Sequence, residues 1–266
     1  MTVLGSLPYL NVKPLIYPFE NGQLPMGWSL KYAPPASLAE MLHNGEIAAA
    51  PVSSFEVLRS RDLVAVPGVC ISSRAAVKSV VLLSRVPFEK IHTVALDSGS
   101  LTGAAMVRIL LAETFDLSPI YKNTDPDIRI MLHESDAALL IGNAALEFRP
   151  VGLRVMDIGQ GWKDLTGLPA VFALWAGRED LLTAEIAAIL IAARDAGLEK
   201  IEHIADIESP KLGLTRSACR EYLEQIINYR LGKDELASLE KFAALCKKHN
   251  LTLGATEGHV RFCNVG

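Results

Sequence analysis

The chain has 266 residues, half of them apolar, with 26 basic and 30 acidic side chains and a net charge of −4. Such a length buries a core sufficient for two modest domains, and the composition excludes a disordered chain. Lys and Arg are scattered and not interleaved with aromatic residues, which excludes a basic nucleic-acid face.

Residues 2–7 alternate and read as a first strand, broken at Leu7-Pro8-Tyr9-Leu10-Asn11-Val12-Lys13-Pro14. The two prolines stiffen the backbone around Asn11, so its amide is presented from a rigid turn at a strand end, where open α/β sheets bind ligands. Capping of the helix through Phe19, with Pro14 in its first turn, suits Asn11 equally. Trp28 to Tyr32 reads as a second strand. Pro34-Pro35-Ala36-Ser37 then leads into a helix carrying Leu38, Met41 and Leu42 and stopped by Gly45. Residues 47–50 read as a buried strand. After them Ser53-Ser54 open a helix to Arg59, and these hydroxyls fit either ligand donation or plain N-capping. Residues 63–66 and 77–83 are strand-like, the second apolar enough for an interior, doubly covered place. Ser79 interrupts it, either as a tolerated polar residue or as one turned to a cleft.

Val86-Pro87-Phe88-Glu89-Lys90 marks a domain boundary, and beyond it the strand-then-helix rhythm repeats. Residues 93–96 run into Asp97-Ser98-Gly99-Ser100-Leu101-Thr102-Gly103, after which Met106, Ile109, Leu110 and Phe115 recur at helical spacing. A helix start leaves N–H groups unpaired under partial positive charge, and Ser100 and Thr102 add donors. The stretch is a ready seat for a carboxylate or phosphate. Ser98 or Ser100 closing the helix as an ordinary cap explains the same residues. Pro119-Ile120-Tyr121 is a short strand, and Asp125-Pro126-Asp127 starts a helix. Residues 136–141 form a buried strand ending in Gly142-Asn143, where glycine allows close approach to a ligand or simply a capping turn. Residues 170–175 form an apolar strand. Past Gly177 the chain reads as helical, over 181–199, 216–231 and 234–249, with Glu221, Glu224, Arg230 and Lys233 on a solvated face.

Strong signatures are absent: no Walker loop, no G-x-G-x-x-G after the first strand, no G-x-S-x-G elbow and no H-E-x-x-H. The six histidines stand singly, and Cys70, Cys219, Cys246 and Cys263 lie far apart without C-x-x-C. Idle thiols and no metal or cofactor are expected. The N-terminal stretch has neither a basic n-region nor an apolar h-region, and no run of about 18 apolar residues occurs. The expectation is a cytoplasmic protein with no membrane partner. What remains is a set of strand ends offering Ser, Thr, Asn and Gly N–H groups, suited to a small polar anion held between two α/β lobes.

Six marks occur in order over nearly residues 1–178. They are Tyr9-Leu10-Asn11 with Pro14-Leu15, Pro51-Val52-Ser53, Val77-Lys78-Ser79, the run from Ser98 to Thr102, Leu140-Ile141-Gly142-Asn143-Ala144-Ala145-Leu146, and Trp162 with Thr166-Gly167-Leu168-Pro169. On these the chain resembles the chorismate dehydratases of the futalosine route to menaquinone, cytoplasmic enzymes with the type II periplasmic-binding-protein fold. The resemblance implies an α/β, two-lobed architecture with a ligand cleft between the lobes and a helical C-terminal segment. Lobe I is expected over 1–85 plus 178–266 and lobe II over 86–177. It further implies that chorismate loses its ring 4-hydroxyl and the neighbouring ring proton, giving 3-[(1-carboxyvinyl)oxy]benzoate and water without a cofactor. Asn11 and Ser79 are then the expected catalytic residues, and Ser53, Ser98, Ser100, Leu101, Thr102, Gly142 and Asn143 the expected substrate binders. No motif supplies a general base, so the substrate's own enolpyruvyl carboxylate is the expected proton acceptor. The family commonly has Asp where this chain has Asn143. The competing expectation is a non-catalytic small-carboxylate binding protein of the same fold, for which a signal, a lipid anchor or a helix-turn-helix would be expected ahead of the first strand.

Overall fold

A computed structural model describes residues 2–251 and 259–264. β1 (Thr2–Ser6) stops at Leu7-Pro8, and one 3-10 turn at Leu10–Val12 leads into α1 (Lys13–Glu20), with Pro14 in the first turn where a missing N–H costs no bond. β2 (Trp28–Tyr32), α2 (Pro35–His43), β3 (Ala50–Ser53), α3 (Ser54–Arg59) and β4 (Leu63–Ser73) complete the first stretch. The middle stretch holds β5 (Val80–Ser84), β6 (Thr93–Asp97), α4 (Leu101–Phe115), β7 (Ile120–Thr124), α5 (Ile128–Glu134), β8 (Ala137–Ile141), α6 (Gly142–Glu147), β9 (Arg154–Asp157) and α7 (Ile158–Thr166). The chain then returns through β10 (Ala170–Arg178), α8 (Ala184–Leu198), α9 (Ile201–Glu208), α10 (Arg216–Glu221), β11 (Ile227–Arg230) and α11 (Lys233–Lys248).

Two layers of sheet result. β5 through β9 form a five-stranded sheet ordered β7-β6-β8-β5-β9, and β11-β4-β10-β3 form a four-stranded one. β1 and β2 pair in parallel and extend that second sheet, because Gly5 N–H donates to Ala49 O and Ala48 N–H to Val3 O, each at 2.8 Å. β5 is buried at every position and lies between β8 and β9, an interior place that suits its nearly continuous apolar run. The sheet memberships correct the expected lobe boundaries. β5 belongs with β6 to β9 and β10 with β3 and β4, so the chain passes between units at 74–79 and 167–169 rather than at 85/86 and 177/178.

The expected helix over 216–231 is also corrected. α10 ends at Glu221, one π turn covers Tyr222–Ile226, and β11 pairs antiparallel with β4. Ile227 and Tyr229 are buried while their neighbours are not, an alternation of period two that an open sheet edge converts into a strand. A separate helix, α9, stands where none was expected. α5 starts two residues later than expected, with Asp127 and not Asp125 as its N-cap. No helix among the described residues is long and apolar enough to cross a membrane.

α11 braces both units. The Phe242 ring lies 5.7 Å from that of Trp162 on α7 and 6.3 Å from that of Phe55 on α3. Trp162 Nε1 donates to Ser238 Oγ at 2.9 Å, and that hydroxyl donates to the Pro169 carbonyl in the second crossing. On the far face α1 packs on α8 so closely that a Cβ at Gly197 would lie 1.7 Å from the Pro14 carbonyl oxygen. Gly197→Ala should therefore force the helices apart and lower stability by about 2–3 kcal/mol, read as a fall in the urea midpoint. An unchanged midpoint would show that this helix contact is dispensable.

Candidate active site

Most of the strand ends singled out by the sequence meet at one cavity of about 100 Å³ between the two sheets. Asn11 reaches it from the turn after β1, Ser53 from the β3–α3 junction, Ser79 from the first crossing, Ser100, Leu101 and Thr102 from the start of α4, and Gly142 from the β8–α6 junction. Gly142 has φ +63°, and a Cβ there would sit 3.2 Å from the Tyr9 ring, so any side chain at this position would be strained.

Two expected binders lie elsewhere. Ser98 opens on a neighbouring recess of about 410 Å³ beside Glu56 and Arg59. The turn closed by Gly99 N–H on Asp97 Oδ1 at 2.8 Å separates it from Ser100. Asn143 is absorbed by the fold: its Oδ1 accepts from Leu10 N–H at 3.0 Å, and its Nδ2 donates to the Pro8 carbonyl at 3.1 Å. An amide makes both bonds, whereas a carboxylate at this place would make only the first. Both bonds together clasp the five-stranded unit onto the turn that carries Asn11.

The start of α4 carries the donors. Ser100 is the N-cap residue but its side chain caps nothing, and the first turn holds no acidic residue. The first N–H bonded back is that of Ala104, to the Ser100 carbonyl at 2.9 Å, so the N–H groups of Leu101, Thr102 and Gly103 stand outside the helix ladder. α5 and α7 differ, because the Asp127 and Asp157 carboxylates occupy their starts. Part of the expected hydroxyl set is spent across the cavity. Thr102 Oγ1 lies 2.8 Å from Ser53 Oγ and accepts from Phe55 N–H at 3.2 Å, while Ser53 Oγ also caps Glu56 N–H at 3.4 Å. One hydroxyl hydrogen of that pair is left over for a ligand.

Opposite lie Asn11 and Ser79. Asn11 Oδ1 is buried without a partner among the described residues. Ser79 Oγ accepts from the phenol of Tyr222 at 2.7 Å, and the Ser79 carbonyl accepts from Gly142 N–H at 2.8 Å. Tyr222 went unread in the sequence because it falls among Cys219 and Leu223 in an apolar pattern, while its partner is 143 positions away. The remaining walls are apolar, among them Leu7, Val12, Ile71 and Phe172.

No charged side chain lines the cavity among the described residues. Its one titratable lining group, Tyr9, has its phenol pushed up by burial and by Asp97, so it stays protonated. Asp97 sits just behind, its carboxyl raised by burial despite the bond from Gly99. The arrangement binds an anion through neutral N–H and O–H groups in a low-dielectric setting and offers one acceptor, Asn11 Oδ1, next to one donor, Ser79. It supplies no evident acid or base of its own.

Comparison with known proteins accords with this geometry. The model of a family described as menaquinone biosynthesis matches residues 2–248. A chorismate dehydratase of Thermus thermophilus is 29% identical over 260 residues, 91% of this chain and 93% of that protein. One of Campylobacter jejuni is 25% identical over 254 residues, covering 94% and 99%. Among solved structures, the periplasmic aliphatic sulphonate binding protein of Escherichia coli superposes with a TM-score of 0.67 at 18% identity, covering 99% of this chain and 92% of that one. The chain thus has the two-lobed periplasmic-binding-protein-like fold.

The Asn143 clasp is open to test. Asn143→Asp should lose about 1 kcal/mol at pH 7, seen as a lower urea midpoint. Its deficit relative to wild type should shrink as pH falls toward about 4, where a protonated carboxyl regains a donor. An equal midpoint at pH 7 would mean the clasp adds nothing.

Proposed function

The chain belongs to the menaquinone biosynthesis family, and from that premise we propose that it dehydrates chorismate to 3-[(1-carboxyvinyl)oxy]benzoate. The observation that carries the reading is a cavity without charged side chains in which Asn11 and Ser79 share the space with the unpaired N–H groups of α4. Chorismate is a dicarboxylate whose ring becomes aromatic on losing one proton and the adjacent hydroxide. Removal of the proton beside the enol ether spreads negative charge through the conjugated double bond onto the ring carboxylate. With that carboxylate at the start of α4, the helix dipole and three N–H groups stabilise charge where it grows. Ser79 donates to the departing hydroxyl, Asn11 Oδ1 orients it, and the enolpyruvyl carboxylate, held close by the same contacts, takes the proton. The leaving hydroxide and that proton together make the water released, so atoms balance without a cofactor.

A neutral cavity suits this chemistry. A lysine or arginine would bind the ground-state dianion as firmly as the anion that follows, and such uniform binding does not accelerate the step. At about 100 Å³ the cavity is well below the roughly 300 Å³ of the smallest usual ligand sites. Admission of chorismate on this reading parts the two units along the crossings at 74–79 and 167–169, breaking the Ser53–Thr102 and Asn143 contacts.

The lack of a titratable base also suits passive carboxylate binding, and turnover separates the two readings. Purified protein incubated with chorismate should abolish its diene absorbance and yield a product lighter by one water in the mass spectrum. Asn11→Ala and Ser79→Ala should each lower kcat by about 100-fold or more while remaining folded. Chorismate bound but left intact by the wild-type chain would replace the enzyme reading by the binding one.

A further inference from the structure

Tyr222 stands behind the site, on the π turn between α10 and β11, with 2% of its surface exposed. It does not line the cavity, yet its hydroxyl donates to Ser79 Oγ at 2.7 Å. One buried hydrogen bond thus ties the C-terminal segment to the first crossing.

The sense of that bond matters. Burial holds the Tyr222 phenol well above its ordinary pKa, so at any physiological pH it remains a donor. Ser79 Oγ, accepting from it, keeps its own hydrogen to give. Asn11 Oδ1, across the same cavity, has no partner among the described residues and is left to accept. The Ser79 backbone is fixed separately: Lys78 stands at φ +62°, with its N–H and that of Val77 held by Asp157 at 2.7 and 2.9 Å. The neighbouring Lys78–Glu221 pair is exposed and adds little. What orients the Ser79 hydroxyl is therefore Tyr222.

We propose that Tyr222 is a positioning residue for the dehydration, fixing Ser79 as a donor toward the substrate without touching it. The proposal rests on the chorismate reading above. It distinguishes Tyr222 from a core tyrosine that merely satisfies its own hydroxyl.

The test is Tyr222→Phe, which keeps the ring and removes the link, measured alone and in a Ser79→Ala background. Alone it should lower kcat about 10-fold with KM within about two-fold. In the Ser79→Ala background it should lower kcat by less than about two-fold further, because the group it acts through is gone. A wild-type kcat for Tyr222→Phe, or the same factor lost in both backgrounds, would overturn the proposal. A crystal structure of Tyr222→Phe decides the matter even if the wild type leaves chorismate intact, an outcome that would end the chorismate reading alone. The Ser79 side chain should leave its wild-type rotamer, and an unchanged rotamer would sink the positioning role.

Discussion

Two hydrogen bonds to one carboxylate hold the place where the chain passes from one sheet to the other. Asp157 accepts from Val77 and Lys78 N–H while also capping α7 through Gln160 N–H at 3.1 Å. Lys78 is thereby kept in the left-handed region, a conformation that costs a residue with a Cβ about 1–2 kcal/mol. Charge-assisted bonds of this kind are strong enough to offset that cost. Without them the crossing would relax and Ser79 would leave its phase: its carbonyl would no longer meet Gly142 N–H nor its hydroxyl the Tyr222 phenol. The cavity is assembled around that fixed point.

Much of the fold was legible because it rests on local physics. Prolines at 8 and 14 stop a strand and start a helix, and the apolar run of β5 takes an interior place. What the local pattern lacked was knowledge of neighbours. Residues 227–230 carry an alternation short enough to pass as the end of a helix, and only the open edge of β4 makes it a strand. The lobe boundaries slipped for a related reason: β5 and β10 look alike as apolar strands, and their sheet is set by pairing, not by composition.

The site was legible in its donors and illegible in its supports. Hydroxyls and amides at strand-to-helix junctions announce themselves as polar residues in apolar surroundings, which is why Asn11, Ser53, Ser79, Ser100 and Thr102 stood out. The same signal cannot tell a residue that faces the ligand from one that faces the fold. Ser98 and Asn143 carry it too, and Asn143 spends both ends of its amide on the backbone at 8 and 10. Tyr222 emits no signal at all, since a phenol in an amphipathic helix pattern is indistinguishable from packing until the distant serine is brought to it.

The five-stranded sheet is made from one uninterrupted stretch of chain, whereas the other sheet needs strands from both ends. A polypeptide leaving the ribosome can therefore complete the middle unit while β3 and β4 still display unpaired edges, awaiting β10 and then β11. Nascent chains in that interval carry exposed strand borders of the sort that invite association with other molecules. The interrupted topology that brings Tyr222 up behind the cavity thus also fixes a vulnerable stage of biosynthesis, one that ends only when β11 has been made.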